Sequence, residues 1–128
     1  MQMCVSKDFT FDAAHNLVEY HGKCERLHGH TYRLRVTIKG SPKEDGMVLD
    51  FGILKDKVKK QVVDRLDHSY LNDLMPQSST ENMIRWIWDE LEPELDGDNY
   101  SLYEIILWET ETSFVTLRAE NAAEKSNE

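Results

Sequence analysis

The sequence predicts an α+β domain: an antiparallel sheet of four strands with two helices on one face, in the order ββααββ. Three observations carry this. Two segments near the start alternate apolar and polar residues, two segments in the middle repeat apolar residues at helical spacing, and two apolar runs near the end flank a short turn. The chain has 128 residues, 40% of them hydrophobic and 30% charged, which suits one folded domain with a real core. The boundaries expected are 1–118 for this domain and 119–128 for a frayed C-terminal tail.

Each element has its own signal. From Val5 to His15 the odd positions hold Val5, Phe9, Phe11 and Ala13 against Ser6, Asp8, Thr10 and Asp12, a half-buried strand that ends on His15. From His30 to Lys39 the pattern is cleaner, with Tyr32, Leu34, Val36 and Ile38 facing one way and Thr31, Arg33, Arg35 and Thr37 the other. "GSPKEDG" supplies a loop, and Asp50 is placed to cap a helix in which Leu54, Val58, Val62 and Leu66 recur every fourth residue, ending near Asp67. Ser78 followed by Glu81 reads as a capping box for a second helix with the stripe Ile84, Ile87, Trp88, Leu91 and Leu95. Strands are then expected over Leu102–Glu109 and Ser113–Arg118, joined as a hairpin across "TET". In the third strand Leu102, Ile106 and Trp108 fall on one face and Ile105 and Leu107 on the other. Two helices cover only one face, so the second face predicts a subunit interface.

Charge and composition exclude several classes. A net charge of −9 argues against a nucleic-acid partner, which needs a basic face. No apolar run is long enough to span a membrane, and the first residues lack a signal-peptide pattern, so a cytoplasmic protein is expected. Two cysteines, Cys4 and Cys24, are expected as free thiols rather than as a disulfide.

The stretch "CERLHGH", 24–30, concentrates reactive groups. His28 and His30, two apart at the mouth of a strand, point the same way. A hairpin-like return from His15 would complete three nitrogens, the set of a catalytic zinc with an open position. Separate polar histidines at strand ends are the plainer alternative. Cys24, with Lys23, Glu25 and Arg26 around it, is either a thiolate base or a fourth ligand that would close the site. Asp67 and His68 alone read as a polar turn. Glu109 shares a face with Ile105 and Leu107, where a carboxylate needs a partner such as a ligand edge with two N–H donors.

Six segments together, "FTFDAAH" (9–15), "CERLHGHTY" (24–32), "VLDF" (48–51), "LDHSYLN" (66–72), "SSTEN" (78–82) and "WETET" (108–112), resemble the 6-pyruvoyl-tetrahydropterin synthase family, which includes the 6-carboxytetrahydropterin synthases of queuosine biosynthesis. The resemblance implies the tunnelling fold, whose subunits join sheets into a β-barrel and assemble as homohexamers of two stacked trimers. It implies Zn2+ on His15, His28 and His30, Cys24 as base, Asp67 and His68 as the rest of a proton relay, and Glu109 as pterin anchor. The implied substrate is the small molecule 7,8-dihydroneopterin triphosphate, and the reaction a triphosphate elimination to a 6-pyruvoyl- or 6-carboxy-tetrahydropterin. "CERLHGH" also fits the pattern of relatives that use a glutamate to cleave the same substrate to 6-hydroxymethyl-7,8-dihydropterin for folate synthesis, which makes Glu25 a second candidate base. A zinc- or pterin-binding protein without catalysis is the non-enzyme alternative.

Overall fold

A computed structural model describes residues 1–124. The sheet contains β1 (Met3–His15), β2 (His28–Gly40), β3 (Ser69–Tyr70), β4 (Tyr100–Trp108) and β5 (Phe114–Arg118), in the order β3-β1-β2-β4-β5. The expected four-stranded antiparallel sheet is therefore corrected to a five-stranded mixed one. β3 runs parallel to the end of β1, pairing Ala13 with Ser69 and Ala14 with Tyr70. A two-residue strand has no periodicity to read, because its pairing is set by where the preceding helix delivers the chain. The other three pairings are antiparallel.

The alternation in β1 and β2 becomes one buried face: Phe9, Phe11 and Ala13 beside Tyr32, Leu34, Val36 and Ile38. In β4 Thr37 pairs with Glu104 but Ile38 with Leu102, which leaves Tyr103 as an extra residue in a β-bulge. The bulge reverses the side on which Leu102 lies. It joins Ile105 and Leu107 in the core, while Ile106 and Trp108 stay half-buried on the other face, so the expected grouping of Leu102 with those two is corrected.

Asp50 caps α1 (Phe51–Val58) by accepting from the Gly52 N–H. The helix continues without a break through a π-helical stretch, Lys59–Val63, into α2 (Asp64–Leu66). The sequence explains this widening. Apolar residues spaced by four drift about 40° per step on an α-helix, about 120° over three steps. A π stretch takes up that drift, and Leu54, Val58, Val62 and Leu66 are all fully buried. α3 (Thr80–Leu91) buries Met83, Ile84, Ile87, Trp88 and Leu91 against the same sheet face. Its N-cap is Ser79, which accepts from the Asn82 N–H, so the expected capping box on Ser78 is corrected. Ser78 is buried and turned to other partners.

The segment expected as a tail begins with a short helix, α4 (Ala119–Ala122), which buries Ala122. Residues 125–128 of that segment lie outside the described residues. No described helix is long and apolar enough to cross a membrane.

The π stretch makes a measurable difference at Leu66. With Leu66 held in the core, Leu66→Ala lowers stability by about 2–5 kcal/mol, read as a fall in the urea midpoint. On an unbroken α-helix Leu66 would have rotated toward solvent, and a loss below about 0.5 kcal/mol would contradict the description.

Candidate metal centre and active site

Register brings three imidazoles together. His15 is the last residue of β1 and pairs with His28, the first of β2, while Ala13 pairs with His30. Directly opposed residues and those two apart on a strand share a face, so His15, His28 and His30 all point toward the helix-covered side. Their ring centroids lie 4.6, 5.2 and 4.9 Å apart.

Hydrogen bonds decide the state of two of these rings. His15 Nδ1 lies 2.8 Å from the Ser78 carbonyl and His28 Nδ1 lies 2.7 Å from the Arg26 carbonyl. A carbonyl only accepts, so both Nδ1 atoms carry protons, and in the neutral ring each Nε2 then presents a lone pair. Those two Nε2 atoms face each other at 3.0 Å. Two lone pairs at that distance repel unless a proton or a cation lies between them. The third member rules out one shared proton as a full solution: His30 Nε2 is buried with no hydrogen-bond partner among the described residues. Burial also holds His30 below its ordinary pKa, with the Glu109 carboxylate opposing and His15 and His28 reinforcing the shift. The ligand nitrogens lie within 4.8 Å of one another and could hold one metal ion. A tetrahedral ion bound at zinc–nitrogen distances would separate its nitrogens by about 3.3 Å, close to the 3.0 Å between the His15 and His28 Nε2 atoms.

Glu109, just beyond β4, stands beside this cluster. Its Oε1 is 3.8 Å from His30 Nε2 and its Oε2 is 4.0 Å from His15 Nε2, and the Thr80 hydroxyl donates to Oε2 at 3.0 Å. Tyr32 lies on the same face; its hydroxyl is buried without a partner among the described residues, and burial, then Glu109, push its pKa up. It is a neutral phenol. Sequence reading counted Tyr32 only as core and missed Thr80, although "SSTEN" already marked that helix start.

Cys24 sits half-buried in a 3-10 turn, Lys23–Glu25, and both cysteines are free. The Leu17 N–H donates to the Cys24 carbonyl at 2.7 Å, which closes the loop on itself. The thiol is not a member of the three-imidazole cluster. Glu25 turns into its own loop, where its Oε2 accepts the His21 N–H at 3.1 Å. Glu19 and His21 adopt left-handed backbone with φ of 57° and 59°, a conformation that non-glycine residues hold only when their surroundings impose it.

Asp67 and His68 form a second group, at the β3 edge. Asp67 Oδ2 lies 3.1 Å from His68 Nδ1, and Asp67 Oδ1 accepts the Asp12 N–H at 2.9 Å. That backbone bond is the main reason the Asp67 carboxyl is held below the usual carboxylate range, with desolvation opposing and His68 adding. His68, at φ 60°, returns its own N–H to the Asp12 carbonyl at 2.6 Å. Asp12 completes the group, and its Oδ1 accepts from the Thr31 hydroxyl. Alternation along β1 puts the Asp12 side chain on the opposite face from His15. An open cleft of about 470 Å³ is lined there by Asp12, Thr31, His68 and, at its edge, His30. Sequence reading missed Asp12, whose signal was its position on the polar face of β1.

Comparison with known proteins agrees with this architecture. Residues 4–120 match the family model for 6-pyruvoyl tetrahydropterin synthase. The chain is 43% identical over 106 residues to a 6-pyruvoyl tetrahydrobiopterin synthase of Dictyostelium discoideum, covering 78% of this chain and 76% of the relative. It is 35% identical over 136 residues to a 6-carboxy-5,6,7,8-tetrahydropterin synthase of Haemophilus influenzae, covering 86% and 94%. Over 101 residues it is 44% identical to a dihydroneopterin monophosphate aldolase of Pyrococcus furiosus, covering 78% and 83%. The structure of Caenorhabditis elegans 6-pyruvoyl tetrahydropterin synthase superposes with a TM-score of 0.83 at 25% identity, covering 93% of this chain and 96% of that one. Sequence and fold lead to one statement: the chain belongs to the 6-pyruvoyl tetrahydropterin synthase family.

Proposed function

We propose that this member of the tetrahydropterin synthase family is a zinc-dependent cytoplasmic lyase that acts on 7,8-dihydroneopterin triphosphate and eliminates triphosphate to form a 6-pyruvoyl-tetrahydropterin or, with addition of water and loss of the two outer side-chain carbons as acetaldehyde, a 6-carboxy-tetrahydropterin. The observation that carries the reading is the convergence of three imidazole nitrogens, two of them with their protons committed elsewhere, beside the Glu109 carboxylate. Neutral imidazole is a ligand that suits zinc, and three of them leave an open position.

When bound there, zinc supplies Lewis acidity to the hydroxyls of the substrate side chain. The chain's own residues do the rest. Glu109 accepts the amino and ring N–H donors of the pterin, and the Thr80 hydroxyl holds its Oε2 in place for that contact. The Cys24 thiolate takes the carbon proton, and the electron pair left behind expels triphosphate with its C–O bond. The Asp67–His68 pair carries protons during the tautomerisation that follows.

Because that pair stands at the sheet edge among Asp12 and Thr31, we assign it to the site of a neighbouring copy in a homo-oligomer, a hexamer in the family's manner. Two further features support assembly. Among the described residues β3 pairs only with Ala13 and Ala14, which leaves most of β1 with one edge unpaired, and β5 is paired on one side only. The uncovered face carries half-buried Trp108 with Phe114, 57% exposed, 5.6 Å away. Edges and apolar faces of this kind are the usual substrates of sheet extension between subunits.

The Pyrococcus furiosus relative, named for an aldolase activity, favours one second reading. Glu25, next to Cys24, would take a hydroxyl proton and so favour retro-aldol cleavage to 6-hydroxymethyl-7,8-dihydropterin.

His28→Ala strips the metal: after zinc loading and dialysis, elemental analysis of the variant reads well below one ion per chain, and a variant that keeps one ion overturns the ligand set. Zinc-loaded protein incubated with 7,8-dihydroneopterin triphosphate and read by mass spectrometry separates the activities. Cys24→Ala loses the elimination product and Glu25→Ala loses the cleavage product; if Glu25→Ala changes neither product nor rate, the protein is a thiol-type synthase alone. Mixing denatured Cys24→Ala and His68→Ala chains and refolding them together restores about a quarter of the wild-type activity if the relay is shared between copies. No recovery above the separate variants returns the relay to its own chain.

A further inference from the structure

We propose that Asn72 is a positioning residue that sets the metal ligand His15 and the loop bearing Cys24 at the same time; the inference rests on the metal-and-thiol reading above. Asn72 lies in the 3-10 turn Leu71–Asp73 that follows β3. Its amide uses every bonding position it has. Oδ1 accepts the Asn16 N–H at 3.1 Å and the Ser78 hydroxyl at 2.7 Å, while Nδ2 donates to the Asn16 carbonyl at 2.9 Å and to the Pro76 carbonyl at 3.1 Å.

Asn16 follows His15 directly, at the point where β1 ends. An amide that bonds both the N–H and the C=O of one residue stands in for the neighbouring strand, so Asn72 extends the pairing of β1 by one residue past its ligand. The same amide reaches the His15 ring from the other side. Ser78, whose carbonyl takes the His15 Nδ1 proton, is fully buried, with its hydroxyl 2.7 Å from Asn72 Oδ1 and 3.3 Å from the Asn16 carbonyl. Backbone and ring of His15 are thus referred to one side chain.

The link to the thiol is as short. Asn16 leads to Leu17, and the Leu17 N–H donates to the Cys24 carbonyl. Next along, Val18 is held by the Gln77 amide in the same two-bond manner, N–H to Oε1 at 2.7 Å and Nε2 to carbonyl at 3.0 Å. The Gln77 side chain therefore clips the loop through Val18 alone, with its two hydrogen bonds on neither Ser78 nor Asn16. The two amides make separable contributions: Asn72 governs metal ligand and loop, Gln77 the loop alone. Asp at position 72 would place acceptor oxygens against the carbonyls of Asn16 and Pro76, and Ala would leave all four partners without it.

Three readouts test this in full-length Asn72→Asp, Asn72→Ala and Gln77→Ala chains. The visible spectrum of the cobalt(II)-loaded protein reports ligand geometry, and the iodoacetamide rate at Cys24 in the metal-free protein, separated from Cys4 by peptide mass, reports the loop. Turnover of 7,8-dihydroneopterin triphosphate is resolved into kcat and KM. Asn72→Asp shifts the cobalt bands, changes the Cys24 rate by about threefold or more, and lowers kcat about tenfold with KM within about twofold. Gln77→Ala changes the Cys24 rate and leaves the cobalt bands in place. Cobalt bands and a Cys24 rate at wild-type values in either folded Asn72 variant overturn the proposal. If neither Asn72 variant folds, Ser78→Ala removes the hydroxyl that lies against Asn72 Oδ1 and the Asn16 carbonyl, and unchanged cobalt bands there overturn it. A wild type that turns over no pterin refutes the substrate reading while the first two readouts still decide the role of Asn72. A wild type that takes up no cobalt refutes the metal reading, and an unchanged Cys24 rate in the Asn72 variants then overturns the proposal.

Discussion

Two imidazole Nε2 atoms held 3.0 Å apart, each presenting a lone pair in the neutral ring, are the constraint from which the rest of the site follows. Neither His15 nor His28 can relieve the repulsion by turning its ring over, because each Nδ1 proton is already given to a backbone carbonyl. Both carbonyls are placed by structure well outside the sheet. Arg26 lies two residues before β2, and Ser78 lies two residues before α3. The lone pairs therefore converge because the ends of two strands and the approach to a helix are fixed relative to one another, and that arrangement is maintained by the whole core. Strand register supplies the pairing, and the carbonyls supply the direction of each ring. Polar groups oriented in advance toward a position they do not fill are how a protein readies a site for a ligand.

Much of this was legible in the chain because it depends on periods. Two-residue alternation put Phe9, Phe11 and Ala13 on the core side of β1 and carried His15 to the same side, and the same rule joined His30 to Tyr32 and Leu34. What was not legible depends on contacts between distant segments. β3 is two residues long and exists because α2 releases the chain alongside β1. The bulge at Tyr103 moves Leu102 across the sheet without any local sign in the apolar run. The four-residue repeat from Leu54 to Leu66 was visible, but its misfit to an α-helix, and hence the π stretch, becomes apparent only when the drift is added up.

Ser78 shows how a local rule fails at a site. Ser followed three residues later by Glu satisfies the capping-box pattern, yet the neighbouring Ser79 takes the cap. Ser78 is drawn off by Asn72 and by the His15 ring, two partners from other parts of the fold. Asp12 is the converse case, a residue on the polar face of a strand whose backbone and side chain both become engaged once Asp67 and His68 arrive beside it. The result is two groups of titratable residues that a single antiparallel pair separates to opposite faces. A chemistry that needs both has reason to be carried out between copies of the chain rather than within one.

In the proposed site three neutral imidazoles, and no thiolate, hold one ion. X-ray absorption at the zinc edge of the metal-loaded protein measures this directly. The expected spectrum shows a first shell of nitrogen and oxygen only, at about 2.0–2.1 Å, with the outer-shell scattering of about three imidazole rings. A sulfur scatterer at about 2.3 Å would bring Cys24 into the coordination sphere, close the site, and contradict it.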